Sequence, residues 1–163
     1  MKLSVSLAAA LMAGLACTAA NAGTDTITVN VSGTLTRPPC TLTSSKALTA
    51  NFGTMRADQV STGPLINIPV TLSCPANSAL SISVKASSVI QGSNIQAYAG
   101  KANLAYLMYW SSNNTLIDVT GAKRTLTNLS GTVDLSMKTK LMTLGTVTEG
   151  AFSASSVISI EYL

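Results

Sequence analysis

Apolar and polar residues alternate with a period of two along most of the chain. Ile27, Val29 and Val31 are interleaved with Thr28 and Asn30. Ile66, Ile68, Val70 and Leu72 are interleaved with Asn67, Pro69, Thr71 and Ser73, and Leu80, Ile82 and Val84 with Ser81, Ser83 and Lys85. Side chains on an extended strand point to opposite faces in turn, so this spacing predicts half-buried β-strands. Residues 104–110 (LAYLMYW) form a continuous apolar run of strand length. Val133, Leu135 and Met137 resume the alternation, and residues 154–162 make a last strand. Turn-rich stretches separate them: Ser-Thr-Gly-Pro at 61–64, Gln-Gly-Ser-Asn at 91–94 and Ser-Ser-Asn-Asn at 111–114. About seven short strands with no amphipathic helical stretch predict an all-β sandwich in a single domain.

The first 22 residues change the picture of the compartment. Lys2 supplies a positive end, residues 3–16 an apolar stretch, and Ala20-Asn21-Ala22 small residues at the spacing a signal peptidase accepts. Cleavage after Ala22 is expected, which leaves 141 of the 163 residues (163 less 22) in a mature, exported chain. A lipid-attachment reading of Cys17 is disfavoured by the Gly14-Leu15-Ala16 before it. Export leaves two cysteines, Cys40 and Cys74, and an oxidising compartment makes one structural disulfide the natural reading. A redox pair would favour a close Cys-x-x-Cys spacing, which these lack.

Composition removes most chemistry. There is no His, so imidazole acid–base catalysis, His triads and His-containing metal sites are excluded. The six acidic residues, Asp25, Asp58, Asp118, Asp134, Glu149 and Glu161, are scattered singly, so no local pair suggests a hydrolase or a metal loop. No Ser-x-x-Lys stands in a convincing context, and no glycine-rich phosphate loop is present. A net charge of +4, without runs of Lys or Arg and with 4% aromatics, argues against nucleic acid. The expectation is a protein that is not an enzyme, with no catalytic residue, cofactor, metal site or small-molecule substrate.

The two ends are unusual. Ile27, Val29, Val31, Gly33 and Leu35 share one register and are followed by Arg37-Pro38-Pro39-Cys40. Because proline donates no ladder hydrogen bond and restricts the residue before it, this reads as a free-standing strand separated from the domain that Cys40 begins. At the other end Phe152, Ala154, Ser156, Ile158, Ile160 and Tyr162 share a face, and Leu163 follows.

These features together resemble the pilin subunits of bacterial chaperone/usher fimbriae of the type 1 and P pilus kind. The resemblance rests on the leader, the alternating extension and Pro-Pro-Cys-Thr-Leu at 38–42. It is carried further by Asn-Phe-Gly at 51–53, Ile-Pro-Val-Thr-Leu-Ser-Cys-Pro at 68–75, and a C-terminal strand with Gly150 fourteenth from the end and Tyr162 penultimate. It implies an incomplete immunoglobulin-like sandwich lacking its last strand. The division would be a leader (1–22), a donor-strand extension (23–37) and a pilin domain (38–163). The resemblance makes Ile27, Val29, Val31, Gly33 and Leu35 the donor residues. It makes Gly150, Phe152, Ala154, Ile158, Ile160, Tyr162 and Leu163 the acceptor groove and chaperone-binding strand. Implied partners are a periplasmic chaperone, an outer-membrane usher and neighbouring pilins, on a path through the periplasm to a surface fimbrium. The Arg-Pro-Pro-Cys-Thr-Leu start looks most like minor adaptor subunits. A rod subunit or a terminator is the alternative within the family, and a self-complete secreted sandwich that binds through its loops is the alternative outside it.

Overall fold

The computed structural model describes residues 25–36 and 38–163. The leader with its cleavage site and Cys17, and Arg37, lie outside the described residues. The chain divides into two units, with the boundary between Leu35 and Thr36. In the first, residues 25–35 carry no helix or strand and are exposed throughout. The alternation there predicts a strand, and an isolated strand has no partner to supply ladder hydrogen bonds.

The second unit is all-β. Its strands are β1 (Thr41–Leu42), β2 (Ile66–Ile68), β3 (Thr71–Ala86), β4 (Gln96–Lys101), β5 (Leu104–Trp110), β6 (Thr120–Asp134), β7 (Met137–Thr143) and β8 (Ser156–Tyr162), with one 3-10 turn at Ala57–Thr62. They form two four-stranded sheets. One has the order β1-β3-β6 with β8 also paired to β3, and the other runs β2-β7-β5-β4. Every pairing is antiparallel. Leu72, Leu80, Ile82, Val84, Leu104, Val119 and Met137 are fully buried at the centre of the core. Cys40 and Cys74 form a disulfide that joins the start of the unit to β3. Arg124 of β6 stacks over the Trp110 ring of β5 at 4.9 Å.

Two stretches that alternate without interruption in sequence are each divided between the two sheets. Ile66–Ile68 belongs to β2 and Thr71 onward to β3, because Pro69 cannot donate to a ladder and the chain crosses there. The run through Val133, Leu135 and Met137 divides likewise between β6 and β7. At that crossing Asp134 Oδ1 accepts the Ser136 N–H at 2.8 Å, a local turn that competes with the ladder. The crossings are stitched together: Leu135 N–H donates to the Val70 carbonyl (2.8 Å), and Val70 N–H donates to Ser136 Oγ (3.2 Å). The last strand begins at Ser156 rather than 154. Strand β6 carries few apolar positions because most of its residues are exposed along a sheet edge, and β4 buries only two small residues, Ala97 and Ala99. Neither presents a strong apolar period.

Candidate functional site: an open groove beside the last strand

The site grows from an incomplete sheet. Strand β8 pairs with β3 along Ser156–Tyr162, and among the described residues no strand pairs with its other edge. Facing that edge is the segment that follows β1. Its start is held down: Thr43 and Ser44 N–H both donate to the Thr71 carbonyl (2.9 and 3.3 Å), and Thr71 N–H returns to Ser44 Oγ at 3.3 Å. Beyond Ser44 the segment has no ladder. It stays in place because Leu48 and Phe52 pack on the core. Asn51 Oδ1 accepts the Gly53 N–H at 2.8 Å, and Gly53 has φ +62°, so the turn presents Phe52 at its apex.

Between these two walls lies a groove of about 670 Å³. Leu42, Leu48 and Phe52 line one wall. Phe152, Ala154, Ser156, Ile158 and Ile160 line the other, and the floor is Ile68, Val70, Ala99, Tyr106, Met108, Thr139 and Leu141. The lining is mainly apolar, with Lys46 the only charged side chain in it among the described residues. An apolar trough beside an unpaired strand edge offers two things at once: burial worth roughly 1.5–3 kcal/mol per large side chain, and a row of backbone donors and acceptors. Both suit an extended peptide that adds a strand.

The floor and the β8 wall are pinned to each other. Tyr106 Oη and Ser156 Oγ share a hydrogen bond at 2.7 Å, and burial pushes the Tyr106 phenol up, partly opposed by that bond. Ser87 donates through both N–H and Oγ to the Ser155 carbonyl, each at 3.0 Å. The segment before β8 is fixed as well. Lys101 Nζ donates to the Glu149 carbonyl at 2.8 Å, and Gly100, at φ +76°, lets its backbone lie against Ser153, where any Cβ would collide with the Ser153 carbonyl.

The residues singled out in the sequence fall in four places. Phe152, Ala154, Ile158 and Ile160 line the groove. Gly150, with φ +121°, borders a second depression of about 600 Å³ on the far side of Phe152. Tyr162 and Leu163 lie outside both linings, Tyr162 opposite Leu80 and Leu163 N–H bonded to the Ala79 carbonyl at 3.0 Å. In the extension Ile27, Val29, Val31 and Leu35 are 89, 77, 93 and 102% exposed, and Gly33 has open space around it. Sequence reasoning missed the facing wall and the floor. The wall has too few apolar residues for a period, whereas Tyr106 and Met108 sat inside an apolar run whose two faces could not be told apart.

A family model described as Spore Coat Protein U domain matches residues 24–157. No curated protein matches the sequence. Among solved structures, the P pilus rod subunit PapA is similar at TM-score 0.64 and 18% identity, over 77% of this chain and 100% of that one. A chaperone–usher pilus solved for the basis of rod uncoiling is similar at TM-score 0.63 and 17% identity, over 87% and 97%. The P pilus adaptor subunit PapF is similar at TM-score 0.57 and 19% identity, over 77% and 97%. At these identities the likeness establishes the fold, which is the immunoglobulin-like fold of pilus subunits.

Proposed function

The chain belongs to the Spore Coat Protein U domain family, and we propose that it is a structural subunit of a bacterial chaperone–usher fimbria, built by strand donation between chains. The observation that carries this reading is the groove of about 670 Å³ beside the unpaired edge of β8, in a chain that also carries a fully exposed alternating segment. The groove accepts a strand, and the segment at 25–36 is of the kind that can be given. During export a periplasmic chaperone lends the strand and an outer-membrane usher passes the subunit on. In the fibre the extension of a neighbouring subunit takes the chaperone's place. Ile27, Val29, Val31, Gly33 and Leu35 are the donating residues, and the protein works at the cell surface without catalysis.

Within the fibre we assign it to an adaptor position near the tip, on the likeness of its Arg-Pro-Pro-Cys-Thr-Leu start. Thermal unfolding of residues 36–163, oxidised and without chaperone, tests the reading. A low, aggregation-prone transition is expected, and a strand peptide that fits should raise it, since a ligand that binds only the folded state stabilises it. Rescue by another subunit's extension but not by peptide 24–36 fits the adaptor, whereas rescue by 24–36 fits a rod. A high, cooperative transition without any peptide would mean a self-complete sandwich and would overturn the proposal.

A further inference from the structure

The outer faces of the two sheets differ in kind. On the sheet of β3, β6 and β8, register places Ser83 beside Lys123 and Ser159, and Ser81 beside Thr125 and Glu161, with Val157 beside Lys85. That face is mostly short and polar. On the β2-β7-β5-β4 sheet, register places Tyr98 and Met142 on either side of Ala105, Leu107 beside Lys140, and Tyr109 beside Lys138. Leu116 bridges to Tyr109, while Leu65 and Leu144 extend β2 and β7 by one residue on the same side as Asn67 and Met142. Among the described residues, Leu65, Tyr98, Leu116 and Leu144 are the exposed large apolar side chains of the folded unit outside β8 and Leu163. All four therefore gather on one outer face, a concentration that singly scattered surface residues do not show. None of them lines either cavity, so this face is separate from the groove.

The residues in these registers carry two charges, Lys138 and Lys140, both positive and both in β7 at the middle of the face. Neither forms an ion pair among the described residues, although Lys138 Nζ donates to Asn114 Oδ1 at 3.1 Å. Asp118, two residues past Leu116, is held to its own loop by hydrogen bonds from Thr120 and Asn94. The occupant of the face must therefore be anionic as well as apolar. A second copy packed face to face would set the two lysines against the same two lysines. Protein interfaces are depleted in Lys, and Leu is under-represented among their anchors. A bilayer surface takes the set that is present: tyrosine rings at headgroup depth, leucines below them, and lysines that bury their stems while the ammonium stays at the phosphates.

We infer that the outer face of the β2-β7-β5-β4 sheet docks on an anionic lipid surface. Leu65, Leu116 and Leu144 enter the headgroup region, and Lys138 and Lys140 meet the lipid phosphates. The inference does not depend on strand capture by the groove.

The test measures partition of the oxidised mature chain onto phosphatidylcholine vesicles with and without phosphatidylglycerol. The chain should favour the anionic vesicles and lose binding in high salt. Lys138→Gln with Lys140→Gln should lower that partition roughly 20-fold, and Leu65→Asn with Leu144→Asn roughly tenfold. Lys85→Gln with Lys123→Gln removes the same charge from the opposite outer face and should stay within about twofold. Amine acetylation of the unaltered chain gives a second readout, in which anionic vesicles should shield Lys138 and Lys140 and leave Lys85 and Lys123 reactive. Equal losses from the two lysine pairs would mean that net charge alone drives binding, and would overturn the assignment of the face. Partition that survives both face variants would place lipid binding at the groove or the extension and overturn it too. No partition onto anionic vesicles would overturn the lipid surface and leave the face to an acidic protein partner.

Discussion

The extension at 25–36 and strand β8 carry the same message in sequence and end in opposite states. Both alternate apolar with polar residues, Ile27, Val29 and Val31 with Thr28 and Asn30 in the extension, and Ile158, Ile160 and Tyr162 with Ser159 and Glu161 in β8. In β8 the apolar set is half-buried, with Ile158 and Ile160 packed on the core and β3 supplying a ladder along seven residue pairs. In the extension the apolar set is bare, from 77 to 102% exposed, and no ladder forms. Alternation therefore encodes a strand with two faces and says nothing of where its partner comes from. For β8 the partner on one side is in the same chain, and on the other side the edge is open among the described residues. For the extension neither edge has a strand partner among them.

The sharpest way to break this comparison is to place a charge on each face of the extension. Val31→Asp should weaken incorporation into a fibre, or capture by an acceptor groove, by at least about two orders of magnitude. Such a change forfeits an apolar anchor and asks an unpaired carboxylate to enter an apolar trough. Thr28→Asp, on the opposite face, should leave capture within a few-fold. Equal losses from the two would mean that the alternation plays no part in binding. In the isolated subunit the order reverses. Ile158→Ala should cost about 1–2 kcal/mol of folding stability in denaturant titration, in keeping with half burial, while Val31→Ala should leave the midpoint unchanged. Any stability loss from Val31→Ala would show that the extension already contributes to the folded subunit.

The next largest effect lies where the domain begins. The Cys40–Cys74 disulfide closes a loop of sequence separation 34 and anchors the only end of the groove's first wall that has ladder hydrogen bonds. Its reduction, or Cys40→Ser with Cys74→Ser, should cost about 3 kcal/mol. The wall at 42–52 should loosen first, read as faster amide exchange there than in β5 or β7. Uniform loosening of the whole domain would mean that the disulfide acts on the unfolded chain alone.

Much of this is legible in the sequence alone. The strand-rich class, the turns at 61–64, 91–94 and 111–114, the Cys40–Cys74 pair and the apolar run at 104–110 all follow from local rules, since period, turn chemistry and compartment act within a few residues. Non-local features were not legible. A strand that changes sheets at Pro69 keeps its period across the crossing, so only the proline signals it, and at Asp134 only an acceptor side chain does. Strand β6 hides because an exposed edge needs no apolar face. The groove is a property of two walls 110 residues apart in sequence at Leu42 and Phe152, joined by a floor from other strands. Resemblance pointed to one wall, whereas Phe52, Tyr106, Met108 and Leu141 became visible as partners only when folded.

Acid should act on the two ends of β6 rather than on the groove. Hydrogen bonds from Thr120 to Asp118, hydroxyl first and N–H second, and from Ser136 to Asp134 in the same order, hold both carboxyls below the usual value. Protons therefore bind the unfolded chain more readily than the folded one. The stability these groups add is present above about pH 4 and is lost as pH falls through their lowered values. Asp134 is exposed and Asp118 partly so, which leaves both in reach of water, and the effect should be small. A urea midpoint that declines between about pH 4 and 2, and declines less in Asp134→Asn, is the expected result. An unchanged slope in that variant would show that the β6–β7 crossing does not depend on the carboxylate.

The smallest effect bears on how β8 stays in place while its outer edge is open. Lys123 of β6 reaches across β3 to Glu161 of β8, with Nζ 2.7 and 2.9 Å from the two carboxylate oxygens. The pair spans all three strands on the outer face, so it looks suited to hold β8. Both side chains are more than half exposed, at 58 and 53%, where water and salt screen the attraction and ordering two long side chains costs entropy. Glu161→Gln should therefore cost at most about 0.5 kcal/mol, and less in high salt. Tyr106→Phe, which removes the bond from the groove floor to Ser156, should cost about 1 kcal/mol with no salt dependence. If Glu161→Gln proved the more costly of the two, β8 would be held from its outer face. The ranking expected here has it held from the floor of the groove, by the same side chains that an added strand would cover.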